Sequence, residues 1–362
     1  MVPGHPVNPP YINKLEQIHI VLCNRQAFAQ NDGLLQRPSG DVDHGIVNGV
    51  GPGMACSAGP GITSPHGRGR AAIAQAHANL WGQGGFLGQD ADFSLRFWGV
   101  RGSIACPGPA TVRYGGNTSC LEVRCGPHLL ILDAGTGLRG LDQALGGAAV
   151  DADLLMTHTH LDHVCGWPFF SALTRPETRL AAWSGHLKAP HTLESVLDRF
   201  LRDPVTPVRR ETLKATIAWK SFTMGETLEP RPGITVRTAP LNHPNGATGY
   251  RIEYRGRSIC YITDTEHVPD EPDRNVLGLI AGADIVVYDA TYTDAEFPKF
   301  VTWGHSTWQE GVRLCDAAGV GTYVVFHHDP SHDDTTMDTI AAELEVMRPG
   351  SLVAREGMVL TP

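Results

Sequence analysis

Apolar and polar residues alternate in short segments along the chain from residue 92 onward. Alternation over about four to eight residues is typical of a half-buried strand, and an apolar run of that length is typical of a strand buried on both faces. The predicted strands, with one hairpin turning at Arg255-Gly256, are FSLRFWGV (93–100), SCLEVRC (119–125), HLLILDAG (128–135), DADLLMTH (151–158), ITVRTAPLNH (234–243), TGYRIEYRGRSICYITDT (248–265), ADIVVYDATYT (283–293) and TYVVFHHD (322–329).

Helical spacing and capping residues predict helices in the same region. TLESVLDRFL (192–201) places its apolar residues three and four positions apart, as one face of a helix does. Two further helices follow residues suited to an N-cap. One runs through Ala318 and is capped by Ser306 or Thr307, with Gln309 or Glu310 as the capping-box partner. The other starts at Asp333/Asp334. Strands come first in hairpins and then alternate with helices, which predicts mixed sheets covered by helices.

Residues 1–91 differ in texture from the rest of the chain. They are rich in Gly, Pro and Ser, with almost no sustained periodicity, as in SGDVDHGIVNGVGPGMACSAGPGITSPHGRGR (39–70). Such a composition buries too little apolar surface to offset the chain entropy lost on folding. We therefore predict a largely disordered or non-native leader over 1–91, and one folded domain over 92–362.

Composition and charge narrow the class of protein. The chain of 362 residues is 41% hydrophobic with a formal net charge of −9, which favours a globular protein and disfavours a nonspecific nucleic-acid binder. Its eight cysteines form no CxxC pair, and no apolar run is long enough for a membrane span. The N-terminus lacks the order of a signal peptide, so the predicted location is the cytoplasm.

The segment LLMTHTHLDHVCGW (154–167) concentrates metal-binding residues directly behind an apolar strand. His158 and His160 lie two positions apart, so extended backbone places both side chains on the same face. Asp162 and His163 follow where the chain can turn back. Three imidazoles and a carboxylate suit zinc, iron or manganese, and two adjacent ions completed by distant residues fit so crowded a set better than one.

Partners for this cluster are expected at the ends of other strands. His243 ends the strand from Ile234, just before a Pro-Asn-Gly turn, and Asp264 ends the strand of residues 258–263. His327 and His328 end another strand, and the pattern of the residues alone leaves open which of the two is the ligand.

The sequence resembles the metallo-β-lactamase-fold hydrolases over about 93–362, on HTHLDH (158–163) and the strand-end residues. The resemblance implies an αββα sandwich, an α/β fold of two mixed β-sheets flanked by helices. It also implies the roles of the ligands: His158, His160 and His243 for the first metal; Asp162, His163 and the late histidine for the second, with Asp264 bridging. His327 matches the family's strand-end histidine better than His328.

Further motifs resemble the phosphodiesterase branch of that family, which includes tRNA 3′-processing endonucleases and phosphoribosyl cyclic phosphodiesterases. These motifs are YGGNTSCLEV (114–123), LLILDAGTGL (129–138) and WGHST (303–307). The resemblance implies that His305 stabilises or protonates the leaving oxygen. Asp133 is expected to orient a ligand histidine, because carboxylates beside metal ligands fix imidazole tautomers.

These features predict a dinuclear metal-dependent phosphodiesterase. Its expected substrate is a small phosphodiester, cyclic phosphodiesters included, and its expected nucleophile is a metal-bound hydroxide that Asp162 would orient. Zinc is the first choice of metal, with manganese or iron as options. The alternatives are a tRNA 3′-processing endonuclease, a lactonase, thioesterase or β-lactamase, and a nonhydrolytic iron protein or scaffold. The expected partner is a small-molecule substrate rather than nucleic acid or membrane, and a homodimer is compatible with the sequence.

Overall fold

The computed structural model of the protein describes residues 92–362. The prediction of a leader over 1–91 concerns residues outside this range, and the division at residue 92 stays a prediction. Among residues 92–362, no helix combines the length and the apolar character needed to cross a bilayer.

The strands form two seven-stranded sheets. The first sheet has the order β14-β1-β2-β3-β4-β5-β6, antiparallel from β14 to β3 and parallel from β3 to β6. Its strands are β1 (Phe93–Gly99), β2 (Cys120–Cys125), β3 (His128–Leu132), β4 (Asp151–Met156), β5 (Arg179–Ser184), β6 (Thr216–Ser221) and β14 (Val359–Leu360).

The second sheet has the order β13-β12-β11-β10-β9-β8-β7, antiparallel from β7 to β10 and parallel from β10 to β13. Its strands are β7 (Thr227–Arg231), β8 (Ile234–Leu241), β9 (Ala247–Tyr254), β10 (Arg257–Ile262), β11 (Ile285–Asp289), β12 (Thr322–Phe326) and β13 (Leu352–Val353). The carboxyl ends of β10, β11 and β12 therefore lie at one edge, where ligand sites form in parallel sheets.

The α-helices of the described residues pack on these sheets. They are α1 (Leu138–Ala144), α2 (Leu161–Val164), α3 (Leu193–Leu197), α4 (Arg274–Ile280), α5 (Trp308–Ala317) and α6 (Asp334–Met347). Neighbouring residues of one strand belong to different cores: Val286 packs with the α4, α5 and α6 side chains, whereas Val287 packs with Phe97 of the first sheet. This alternation confirms the predicted αββα sandwich, because strands buried on both faces separate a helix layer from the other sheet.

The predicted strands are present, and β9 and β10 form the predicted hairpin with Arg255 and Gly256 at positive φ. The helix expected over 192–201 is α-helical only to Leu197 and continues as a 3₁₀ turn, Asp198–Leu201. Thr307 rather than Ser306 caps α5, accepting a hydrogen bond from the Glu310 backbone N–H.

Candidate metal centre

Strand ends carry the predicted metal ligands to one edge of the sandwich. His158 follows β4, His243 follows β8, Asp264 follows β10 and His327 follows β12. Asp264 and His327 have φ values of 61° and 61°, in the left-handed region that non-glycine residues seldom occupy. Strained backbone of this kind is concentrated at functional sites, where the surrounding structure enforces it.

The seven predicted ligands form two adjacent donor groups. In each group, one donor atom per residue lies within 4.8 Å of the others: His158, His160 and His243 in the first, and Asp162, His163, Asp264 and His327 in the second. Asp264 divides its oxygens between the groups. Its Oδ1 is 3.7 Å from His158 Nε2 and 3.6 Å from His243 Nε2, whereas its Oδ2 is 3.2 Å from His163 Nε2. This arrangement is that of a carboxylate between two cation positions.

The other ring nitrogen of each ligand histidine has a partner of its own. His163 Nδ1 donates to Asp133 Oδ2 at 2.9 Å, so the contact predicted for Asp133 is present. The remaining pairs are His158 Nδ1 with Thr157 Oγ1 (3.1 Å), His160 Nε2 with the Asn245 amide (3.3 Å), His243 Nδ1 with Gly304 O (2.7 Å) and His327 Nδ1 with Thr291 Oγ1 (3.0 Å). Where the partner is an oxygen, as it is for His158, His163, His243 and His327, it accepts the ring proton, fixes the tautomer and leaves the inner nitrogen free to ligate.

The inner nitrogens fit a divalent cation. Within residues 92–362, Nε2 of His158, His163 and His327 is fully buried and has no hydrogen-bond partner. A buried polar atom without a partner is costly to a folded protein, so the three atoms point to a group that satisfies them. Imidazole nitrogens with carboxylate oxygens are a donor set that zinc, manganese and iron accept.

The protonation of the cluster differs between the two groups. Burial lowers the pKa of His158 well below its ordinary value and that of His243 to about 4, which keeps these rings neutral. Burial also lowers the pKa of His163, but Asp162, Asp264 and Asp133 outweigh it and raise that pKa well above its ordinary value. The second group is therefore the one in which a cation competes with a proton.

His305 lies beside the cluster, where its ring stacks on that of His327 with centroids 4.9 Å apart. Its Nδ1 is 2.9 Å from Asp289 Oδ2, at the end of β11. Burial lowers the pKa of His305, but Asp289 outweighs it and the net pKa is raised to about 9. A cationic imidazole held by a buried carboxylate can donate a proton to a departing oxygen.

Asp162 is oriented from the loop that follows β1. The backbone N–H of Ser103 donates to Asp162 Oδ2 at 2.8 Å. Burial raises the pKa of Asp162, but His163 and His327 outweigh it and bring that pKa well below its ordinary value, so the carboxylate stays ionised. Gly102, next to Ser103, packs so closely on the ring of His327 that a Cβ there would lie 2.4 Å from Nδ1.

His327, not His328, points into the cluster. His328 is fully buried on the opposite side, with Nε2 2.9 Å from the carbonyl oxygen of Ala354 and its ring edge-on to Tyr114. The two rings therefore lie on opposite sides of the chain just beyond the end of β12.

Several residues at the site were missed from the sequence. Asp289 also ends a buried strand, so the reasoning applied to Asp264 could have found it. Thr157 and Thr291 gave no such signal, because a threonine just after a strand is common and only Thr157 is next to a histidine in the sequence. His186, after β5, is buried with Nε2 3.2 Å from Thr159 Oγ1, and burial lowers its pKa to about 4.

Comparison with known proteins identifies the class to which this fold and site belong. The family model described as the beta-lactamase superfamily domain matches residues 128–328. The chain belongs to this superfamily and has the metallo-β-lactamase fold.

Individual relatives and structures agree with that assignment. Ribonuclease Z of Mycobacterium marinum is 31% identical over 227 residues, which cover 58% of this chain and 79% of that protein. A diphosphatase of the PhnP family superposes with a TM-score of 0.55 at 18% identity, covering 75% of this chain and 98% of its own. Zn²⁺-bound PqqB from Methylobacterium extorquens gives a TM-score of 0.56 at 19% identity, covering 74% and 100%. The two structures share the fold. The superfamily match and the ribonuclease Z relatives together identify the chain as a metal-dependent hydrolase of phosphodiesters.

Proposed function

We propose that the chain hydrolyses a small phosphodiester, cyclic phosphodiesters included, with two divalent metal ions in the donor cluster. The observation that carries this proposal is the His305–Asp289 pair, 2.9 Å apart, directly beside the two donor groups. A proton donor next to sites for two cations suits a reaction in which a phosphate gains negative charge while an alkoxide leaves.

His158, His160 and His243 would hold the first ion, and Asp162, His163 and His327 the second, with Asp264 between them. Zinc is the metal we propose, since imidazole and carboxylate are its usual ligands, and manganese or iron is the alternative. When bound, the two ions supply Lewis-acid stabilisation of the phosphate oxygens and lower the pKa of water.

The residues of the chain then have separate tasks. Asp289 accepts from His305 Nδ1, which turns the opposite ring nitrogen, Nε2, toward a substrate oxygen. His305 gives its proton to the leaving oxygen as the P–O bond breaks. The Ser103 N–H holds Asp162 in one rotamer, so this carboxylate of the second donor group also has a fixed orientation for the attacking water.

A small substrate is favoured over RNA by the charge of the chain. Each nucleotide adds one negative charge, and proteins grip nucleic acid by neutralising phosphates with Lys and Arg. A net charge of −9 opposes such binding. The second candidate function is tRNA 3′-end processing, which the ribonuclease Z relatives favour. The cytoplasmic location and the small-molecule partner stay predictions.

The two candidates separate in one substrate comparison. Zinc-loaded protein is assayed on 2′,3′-cyclic AMP, on bis(p-nitrophenyl) phosphate, and on a precursor tRNA with a 3′ trailer, with Asp162→Ala as the control. Cleavage of the small diesters but not of the precursor, lost in the control, supports the proposal. Accurate removal of the trailer, with little cleavage of the cyclic nucleotide, would overturn it in favour of the tRNA enzyme.

A further inference from the structure

The segment that presents His305 is a strained turn. Thr302 and Gly304 have φ values of 75° and 86°, so two residues of the turn occupy the left-handed region within three positions. A turn of this shape persists only where neighbouring groups hold it, because Thr in that region is unfavourable.

Glu266 holds this turn with both carboxylate oxygens. Its Oε1 accepts from the backbone N–H of Thr302 at 2.9 Å, and its Oε2 accepts from that of Gly304 at 2.8 Å. The backbone of Glu266 is itself fixed, because its N–H donates to Asn242 O and its carbonyl accepts from Asn242 Nδ2, both at 2.8 Å. The carboxylate thus lies two residues beyond Asp264 and reaches across to the turn.

The 302–304 turn also contacts the metal ligand His243. The carbonyl oxygen of Gly304 accepts from His243 Nδ1 at 2.7 Å, which sets the tautomer in which Nε2 faces the cluster. Gly304 has no room for a side chain, since a Cβ there would lie 2.3 Å from His243 Nδ1. A displacement of the turn would therefore move both His305 and the partner of His243.

The far side of His305 is held by the residue after Glu266. His267 Nδ1 hydrogen-bonds with Ser306 Oγ at 2.8 Å, and Ser306 Oγ also accepts from Tyr288 OH at 2.9 Å. Ser306 is thus fixed on one side of His305, and the carboxylate of Glu266 contacts the 302–304 turn on the other side.

We propose that Glu266 is a positioning residue: through the 302–304 turn it places His305 against the leaving oxygen and orients His243 as a ligand. The expected effect on kcat rests on the role proposed for His305, whereas the expected change in the orientation of His243 does not. The chemistry requires a bidentate carboxylate, because two N–H donors must be accepted at once.

The kinetic test compares leaving groups. Glu266→Gln, Glu266→Ala and Glu266→Asp are assayed with 2′,3′-cyclic AMP, whose alkoxide needs a proton, and with bis(p-nitrophenyl) phosphate, whose phenolate leaves as a stable anion. We expect kcat for the cyclic nucleotide to fall about 10- to 100-fold, the range seen when a residue that orients a metal ligand is lost. KM should change little, and kcat for the aryl diester should fall much less. Glu266→Asp keeps the charge but shortens the reach, so it should behave as Glu266→Gln does.

The matched control is Glu271→Gln, which removes an exposed carboxylate five residues further along the same loop. A structural readout accompanies the kinetics: the His243 Nδ1–H signal of ¹⁵N-labelled, zinc-loaded protein should shift in the Glu266 variants and stay in place in the control. Equal losses on both substrates with an unmoved His243 signal would overturn the inference. If the wild type cleaves neither diester, the proposed function fails, and the His243 signal still decides the role of Glu266.

Discussion

At the scale of single residues, Asp264 explains why two donor groups can stand so close together. Its two oxygens face different histidines, Oδ1 toward His158 and His243 and Oδ2 toward His163 and His327. The negative charge offsets the repulsion that two cations would otherwise feel at short range. Replacing it would affect both groups at once, whereas loss of a single histidine affects one.

The strand-end position of the ligands was predictable from the sequence, but their outer partners were not. HTHLDH (158–163) is local, and its chemistry follows from residue type and spacing. Thr291 and Asn245 contact their histidines only after the sandwich has assembled, and both residue types are common in turns. Asp289 lies between these cases, since its place at a strand end could be predicted but its contact with His305 could not.

Asp289→Asn tests the orientation of His305. An amide keeps the size of the side chain but loses the charge that holds the imidazolium, so kcat for phosphodiester hydrolysis should fall by up to about 100-fold, within the range for general acids. The metal content should be unchanged, because Asp289 belongs to neither of the donor groups assigned to the two ions. Steady-state kinetics with metal analysis measure both; the control is Asp270→Asn, in an exposed loop. Unaltered kcat would refute a role for the pair.

At the scale of elements, the loop between β1 and β2 forms a wall of the site. It contributes the Ser103 N–H to Asp162 and packs Gly102 on the ring of His327. Arg101 anchors the start of the loop, because its buried guanidinium donates to the carbonyl oxygens of Gly115, Asp329 and His332. These contacts do not follow from local sequence patterns, since Arg101 and Gly102 reach segments more than 200 residues away and Ser103 contacts a residue 59 positions away.

Gly102→Ala should weaken the second donor group without unfolding the protein. The new Cβ would lie 2.4 Å from His327 Nδ1, so the ring must move away from its place. We expect the affinity for the second metal ion to fall about 10- to 100-fold, as when an outer partner of a ligand is lost. Zinc titration measures it. In Gly108→Ala, a Cβ meets nothing within 4 Å, and equal affinity in the two variants would contradict the expectation.

A hydrogen bond between Glu296 and His332 joins the loops that follow β11 and β12. His332 Nε2 is 3.1 Å from Glu296 Oε1, and this hydrogen bond is the largest reason that the pKa of Glu296 is lowered to about 2. A carboxyl whose pKa is lower in the folded state stabilises the fold above its ordinary pKa of 4.5, and this contribution is lost as the pH falls toward 2.

Glu296→Gln should therefore lower the free energy of unfolding at pH 7, and the difference from the wild type should shrink between pH 4.5 and 2. The side chain is partly exposed, so a modest effect is expected. Urea unfolding at pH 7 and at pH 3 measures it, with the exposed Glu343→Gln as control. A difference that stays constant with pH would show that the carboxylate charge is not its source.

At the scale of the whole molecule, the αββα architecture follows from strands that are apolar on both faces. The buried strands β11 and β12 were predictable because each is largely a continuous apolar run. The strands β13 and β14, with two residues each, were not, since so short a segment pairs only where tertiary structure supplies a neighbour. β6, at the edge of its sheet, is mostly exposed and carries little hydrophobic signal.

The central claim is that the two donor groups bind metal for phosphodiester hydrolysis, and one measurement tests it most directly. Protein stripped with a chelator is titrated with zinc while hydrolysis of bis(p-nitrophenyl) phosphate, p-nitrophenyl phosphate and a β-lactam is followed, beside Asp162→Ala. We predict that diester cleavage rises to a plateau near two zinc ions per chain, exceeds cleavage of the monoester and the lactam, and is lost in the variant. Diester cleavage that persists without metal, or a preference for the lactam, would contradict the claim.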